Sequence, residues 1–399
     1  MLILIIVAFL SLIVTMMAYP FVLRYARHHK IVDNPDVRKL HRLPIPVMGG
    51  VAVYTGILAG CLAMYFMIPK ASISWSIMAI TFMLVLGVWD DIKNLPAVFR
   101  LIAQFGIVGA YMWFKGYYIS NFFGLFGVHE ISPMLGVPLS LVAGVGIINA
   151  INMIDGVDGY SSGYGIMASG CFAVLFITVH QSIWSCLAVA VASALIPFFF
   201  HNVFGKKSKM FIGDGGTMML GFLMTIFGLG TLSPRYGSYW EEQGIGVIAM
   251  TLAIFCIPIF DTFRVMTARI MRGSSPFKPD KSHLHHLFID MGFSHLGAAV
   301  AILLTNFIVI LVLLQLWLCG ASINVQTIVV ILMGVTVTFG FYKLMRWQQH
   351  SGPVGEDGLL QGTALWRAAC RMGKWSHIEE GTLWLVLQKC VDGNPYVRK

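Results

Sequence analysis

Four side chains suited to a cation or a phosphate recur every three residues near the middle of the chain. They are Asn149, Asn152, Asp155 and Asp158, in the run NAINMIDGVDG over 149–159. On a helix that spacing puts all four on roughly one side, and they close a long apolar run. Gly156 and Gly159 then allow the backbone conformations that a Cβ would resist. Two carboxylates and two amides at the mouth of a membrane helix are costly unless something fills the space between them. A divalent cation with a phosphate would fill it.

Four other clusters have the same character. Asp33-Asn34-Pro35-Asp36, with Arg38, Lys39 and His41, precedes Gly49-Gly50. Asp90 and Asp91 are followed by Lys93 and Asn94; adjacent carboxylates raise each other's pKa unless a cation is near, though a solvated helix end explains them equally. In FIGDGGT at 211–217, glycines flank Asp214 ahead of a helical pattern. That is either a backbone nest for phosphate or metal, or a simple tight turn. The last cluster runs from Asp261 through Arg264, Arg269 and Arg272 to His283-Leu284-His285-His286. Zinc is disfavoured there, because no cysteine is close and adjacent or alternate histidines do not converge on a helix. Hydrogen bonding to phosphate oxygens suits these histidines better, and arginine forks suit phosphate.

The elements that must position these clusters are membrane helices. The chain is 57% hydrophobic and only 11% charged, against about 25% charged in soluble domains. A span needs about 20 apolar residues, and eleven runs qualify: 2–23, 47–68, 72–89, 97–114, 134–151, 164–180, 183–203, 210–231, 245–267, 297–319 and 324–343. The expected fold is an all-α polytopic membrane protein. Its spanning domain covers 1–345, and 346–399 forms a tail, either one or two short amphipathic helices at the membrane surface or a disordered segment. Arg24, Arg27, Lys30, Arg38, Lys39, Arg42, Lys206, Lys207, Lys209, Arg269, Arg272, Lys278 and Lys281 fall in loops on one side, and Lys70, Lys115 and Arg235 on the other. That bias puts the N-terminus outside and the C-terminus in the cytoplasm. Of 18 carboxylates only Glu130, Glu241 and Glu242 lie outside, so the chemistry belongs to the cytoplasmic face. The first apolar run lacks a basic lead and a cleavage site and reads as a retained helix. Seven cysteines without paired spacing read as small apolar residues. The net charge of +9 fits loop bias and an anionic substrate, not nucleic acid.

Asp90-Asp91, NAINMIDGVDG, GDGGT and SPFKPDKSHLHH, in this order, resemble the polyprenyl-phosphate N-acetylhexosamine-1-phosphate transferases of the WecA and MraY types over about residues 1–345. HLHH in place of an unbroken histidine triplet resembles the WecA-like branch. The resemblance implies transfer of a sugar 1-phosphate from UDP-GlcNAc to undecaprenyl phosphate at a bacterial inner membrane, releasing UMP and starting a cell-envelope glycan. UDP-GalNAc or UDP-MurNAc-pentapeptide as donor stays open, as do a homodimer and a transporter. Both reactants are anions, so Mg²⁺ or Mn²⁺ is implied. Asp214 is the expected metal ligand, with Asp90 and Asp91 beside it. Asp90, Asp91, Asp155, Asp158 and His283 are the expected catalytic set. Asn149, Asn152, Arg264, Arg269, Arg272, His285, His286, Asp33 and Lys39 are the expected substrate contacts.

Overall fold

Backbone polar groups have no water to bond in hydrocarbon, so long apolar runs there fold as helices that satisfy themselves. The computed structural model describes the chain except for residues 36–42, 69–72, 233–238, 278–279, 352–361, 378–381 and 394–399. Seven of its helices are α1 (Leu2–His28), α2 (Gly49–Met67), α3 (Ser74–Lys93), α4 (Ala97–Lys115), α5 (Pro133–Met153), α6 (Tyr160–Thr178) and α7 (Ser182–Phe204). With His295–Leu318 and Ile323–His350, nine helices among the described residues are long and apolar enough to cross a membrane. A bent pair, Val247–Ile254 with Cys256–Met271, makes a tenth if it is one span. The chain is therefore a multi-pass, mostly helical membrane protein. Two short antiparallel hairpins depart from a purely α expectation: Val32–Asp33 with Ile45–Pro46, and Asn121–Leu125 with Val128–Glu130.

The axis of the bundle is α8 (Gly213–Thr231), in which every residue except Asp214 is buried. Helices α2, α3, α5 and α6 and the segment Val247–Ile254 pack around it. Glycine and threonine are tolerated because its neighbours are helices, not lipid, and small residues let backbones approach. At Gly87 of α3 a Cβ would stand 2.3 Å from the Asp214 carbonyl oxygen and 2.5 Å from the Gly215 Cα. Backbone cannot swing aside. Gly87→Ala is therefore expected to force α3 and α8 apart, at a cost of about 1–3 kcal/mol. The same contact sets the spacing of Asp91 and Asp214, so initial rates should fall about tenfold or more. Melting in detergent and initial-rate assays check the two effects.

The run 245–267 is not one straight span. It breaks at Phe255 with a 71° bend. Pro258 has no N–H for the Ile254 carbonyl four residues back, and that oxygen accepts from the Tyr164 hydroxyl and the Asn306 amide, each at 3.2 Å. Asn306 also donates to the Ala253 carbonyl (3.2 Å) and accepts from the Ile257 N–H (2.9 Å). A side chain from a neighbouring helix thus satisfies the break, as membrane interiors require. The bend re-aims Cys256–Met271, which carries Asp261, Arg264 and Arg269.

The tail takes the helical alternative over Ala364–Trp375 and Thr382–Asp392. It rests on protein: Trp366 is buried, and the Trp384 ring lies tilted against Phe204 with centroids 4.7 Å apart. The preceding helix runs to His350, slightly past the boundary expected at 345.

Candidate active site

Backbone hydrogen bonds bring the first and fourth clusters together. Phe211 N–H donates to the Pro46 carbonyl (2.8 Å), and Gly49 and Gly50 donate to the carbonyls of Phe211 and Ile212 (2.9 and 2.8 Å). This small seam carries Asp33 to the start of α8. Gly213 turns the chain into α8 with φ +76°, a left-handed value that favours glycine, and a Cβ there would stand 2.6 Å from Asp91 Oδ2. The opening N–H groups of α8 do not form a free nest. Asp214 N–H donates to Asp91 Oδ1 at 2.8 Å and Gly215 N–H to Oδ2 at 3.1 Å. Asp91 therefore caps α8.

Around that start lies a cavity of about 570 Å³, within the size range of small-ligand sites. Asp33 and Asn34 line it from the first cluster, Asp91 and Asn94 from the second, and Asn152, Asp155 and Asp158 from the third. Gly213 and Asp214 come from the fourth cluster and His286 from the fifth. All five clusters meet.

The four-residue series does not share a face. Helix α5 ends at Met153, and Asp155 and Asp158 stand in the turn that follows. Asn152 donates to Asp214 Oδ1 (2.7 Å) and Thr217 Oγ1 (2.8 Å). Asn149, one turn back, donates to Gln104 Oε1 (2.7 Å) and is not among the cavity's lining residues. It ties α5 to α4. Asp155 accepts from Ser161 Oγ at 2.6 Å. Its side chain is exposed toward the cavity, yet desolvation by the protein packed around it, with Asp214, Asp158 and Asp33 nearby, pushes the carboxyl up to about 7 against the Ser161 hydrogen bond. Burial alone would also raise Asp158, but His295 Nδ1 at 3.0 Å and Lys209 Nζ at 2.6 Å outweigh it and hold the carboxyl below its usual range.

Asp90 takes another path. It is buried, accepts from Leu95 N–H at 2.7 Å and pairs with Arg100, whose guanidinium lies 3.9 Å from Asp214 Oδ2. It does not line the cavity, whereas Asp155 does. Of His283, His285 and His286, only His286 lines it. His283 Nδ1 bonds Asp261 Oδ2 (2.9 Å), and Asp261 also pairs with buried Arg264 (2.6 Å). His285 is buried against Gly156, where a Cβ would stand 2.0 Å from its Nε2. Arg269 is spent on Asp280 (2.9 Å) and the Pro276 carbonyl (2.6 Å), and Arg272 is exposed. His283, Arg264, His285 and Arg269 thus hold the loop that presents His286. Lys39 lies outside the described residues.

Sequence reasoning missed Arg100, and it counted Lys209 only as loop charge. It also passed over His295, a polar residue opening an apolar span, which was the one available signal.

Burial lowers His286 to about 4, with the neighbouring His283 and Lys281 adding to the effect against Asp290 and Asp280. The unfolded ring binds its proton near about 6.5, so between those limits the unfolded chain holds more protons. Its contribution to stability is full above about 6.5 and is lost as pH falls toward 4. Tm in detergent should be lower at about pH 5 than at about pH 7.5, and His286→Gln should narrow the gap. An unchanged gap would deny His286 this role.

Among the described residues no three His, Cys, Asp or Glu side chains are grouped tightly enough to hold a metal by themselves. The donors still suit a hard cation. Asp214 and Asp155 offer carboxylate oxygens to one polar cavity, and Mg²⁺ commonly takes one or two carboxylates and completes its shell with water and phosphate.

Residues 72–231 match glycosyl transferase family 4. The chain is 32% identical over 307 residues to the probable undecaprenyl-phosphate N-acetylglucosaminyl 1-phosphate transferase of Bacillus subtilis strain 168, covering 76% of this chain and 82% of that one. It is 29% identical over 287 residues to the undecaprenyl-phosphate alpha-N-acetylglucosaminyl 1-phosphate transferase of Escherichia coli K12 (71% and 76% covered). The Yersinia pestis enzyme of the same name is 30% identical over 292 residues (72% and 78% covered). With Asp91, Asn152, Asp155, Asp158, Asp214 and His286 around one cavity and similarity across most of both chains, the protein belongs to the polyprenyl-phosphate N-acetylhexosamine-1-phosphate transferase family.

Proposed function

We propose that the chain transfers N-acetylglucosamine 1-phosphate from UDP-GlcNAc to undecaprenyl phosphate and releases UMP. The observation that carries this reading is the convergence of five distant polar clusters on one cavity. An oxygen of the lipid phosphate attacks the phosphorus that bears the sugar. The bond from that phosphorus to the oxygen bridging it to UMP breaks, and the products are UMP and a lipid-linked sugar diphosphate. Such transfers depend mainly on positioning and on neutralising charge. When bound, Mg²⁺ or Mn²⁺ would offset repulsion between the two anions, held by Asp214 and Asp155. Asp91 fixes Asp214 by capping α8, and Asn152 orients the Asp214 carboxylate. Arg100, held by its ion pair with Asp90, brings its guanidinium to 3.9 Å from Asp214 Oδ2. His286, neutral at pH 7, can donate one hydrogen bond to a phosphate oxygen.

The cavity faces the cytoplasm at the inner membrane with the N-terminus outside, a reading that takes α8 and the bent pair as crossings added to the nine long apolar helices. Arg27, Lys30, Lys206 and Lys209 gathered at that end support the orientation. The test is exchange of radiolabelled UMP into UDP-GlcNAc in the presence of undecaprenyl phosphate. Exchange should require the lipid, stop with a chelator and return with Mg²⁺ or Mn²⁺. In a second assay, transfer from radiolabelled UDP-GlcNAc to the lipid should be competed far better by unlabelled UDP-GlcNAc than by UDP-GalNAc or UDP-MurNAc-pentapeptide. Lipid-independent exchange would overturn the reaction, and a better competitor would change the donor.

A further inference from the structure

Two anchors tie the C-terminal helices to the rest of the protein, and each lands one residue before a base that holds Asp158. At the first, the Asp392 carboxylate accepts from the N–H groups of Lys206 (3.1 Å), Lys207 (3.1 Å) and Ser208 (2.9 Å) and from Ser208 Oγ (2.9 Å). The next residue is Lys209, which binds Asp158 at 2.6 Å. At the second, Ser376 Oγ accepts from Ser294 N–H (2.8 Å), while Ser294 Oγ donates to the Ser376 carbonyl (2.9 Å). The next residue is His295, which binds the same Asp158 oxygen at 3.0 Å. Gly297 leaves room for this second contact, since a Cβ there would stand 2.4 Å from Ser376 Cβ.

Asp158, Lys209 and His295 form part of the wall between the catalytic cavity and a second one of about 780 Å³. Trp384 of the tail lines that second cavity and packs on Phe204. Loops are the mobile parts of a fold; here one carboxylate fastens three consecutive N–H groups of one loop, and a serine fastens the other.

We propose that the helices Ala364–Trp375 and Thr382–Asp392 act as a clamp that positions the catalytic cavity, with Asp392 and Ser376 holding Lys209 and His295 on Asp158. Neither residue touches substrate; both act through the bases that follow their partners. The proposal rests on the transferase reading. If that reading fails, the unsubstituted protein shows no exchange; if only the clamp fails, the unsubstituted protein is active and the cycles below are additive.

The experiment uses full-length protein in detergent with UDP-GlcNAc and undecaprenyl phosphate. Asp392→Ala is expected to lower kcat/KM about 10-fold, in the range of losses when a supporting partner of a site residue is removed. Asp392→Glu should recover most of it. In a Lys209→Met background the Asp392→Ala loss should largely vanish, because the two act along one path. Ser376→Ala, combined with His295→Gln, should behave likewise and provides a second cycle if Asp392→Ala does not accumulate. Unchanged activity in both single variants, fully additive losses in both cycles, or failure of both single variants to accumulate would overturn the clamp, the last by assigning these contacts to folding alone.

Discussion

Asp214→Asn is expected to lower kcat by about 10³-fold while leaving the Tm nearly unchanged. The asparagine carbonyl can still accept the Asn152 hydrogen bond made at 2.7 Å, and the backbone N–H at 214 still caps onto Asp91 at 2.8 Å. Shape and local bonding survive, so what is lost is one negative charge at the start of α8. Removing a single preorganised electrostatic group from a reaction of this kind typically costs 10²–10³-fold or more. The apparent affinity for Mg²⁺ should weaken, with KM for UDP-GlcNAc moving less, because the carboxylate matters most where charge accumulates in the transition state. Rates at saturating and limiting Mg²⁺ separate these effects. A variant within about tenfold of the parent, with the same cation dependence, would remove Asp214 from the centre of the mechanism.

The second large effect concerns stability. Asp261, Arg264 and His283 are all buried, Arg264 and His283 each bonding Asp261, and Asp261 Oδ2 also accepts from Leu284 N–H at 3.2 Å. Asp261→Ala leaves a buried guanidinium without its carboxylate, which typically costs about 3–5 kcal/mol. Activity should fall with it, since the loop that presents His286 loses its anchor at His283. The double variant Asp261→Leu/Arg264→Met removes both charges and should recover much of the Tm, because well-packed apolar replacements of buried ion pairs are often tolerated. It should not recover full activity. A single variant that melts with the parent would show that the triad is not a stability element.

These expectations depend on features of different legibility. The membrane helices were readable from apolar run length, because a span must satisfy its own backbone and face lipid or other helices. The polar clusters were readable too, since Asp33, Asp91, Asp155, Asp158 and Asp214 are costly residues to keep beside a membrane without a purpose. Their assignment to one cavity came partly from the family resemblance. The individual duties were not readable. Asn149 and Asn152 stand one helical turn apart, yet one ties α5 to Gln104 and the other orients Asp214. Asp90 and Asp91 are adjacent, yet one pairs with Arg100 and the other caps α8.

Sequence alone determined which segments are helices and which loops carry chemistry, because run length and residue type are local properties. Tertiary structure decided which aspartates face the cavity, why the 245–267 span breaks, and that Lys209 and His295 meet on Asp158. Those outcomes depend on how separate helices stack and how far each is rotated, and no spacing along one helix encodes the partner on another.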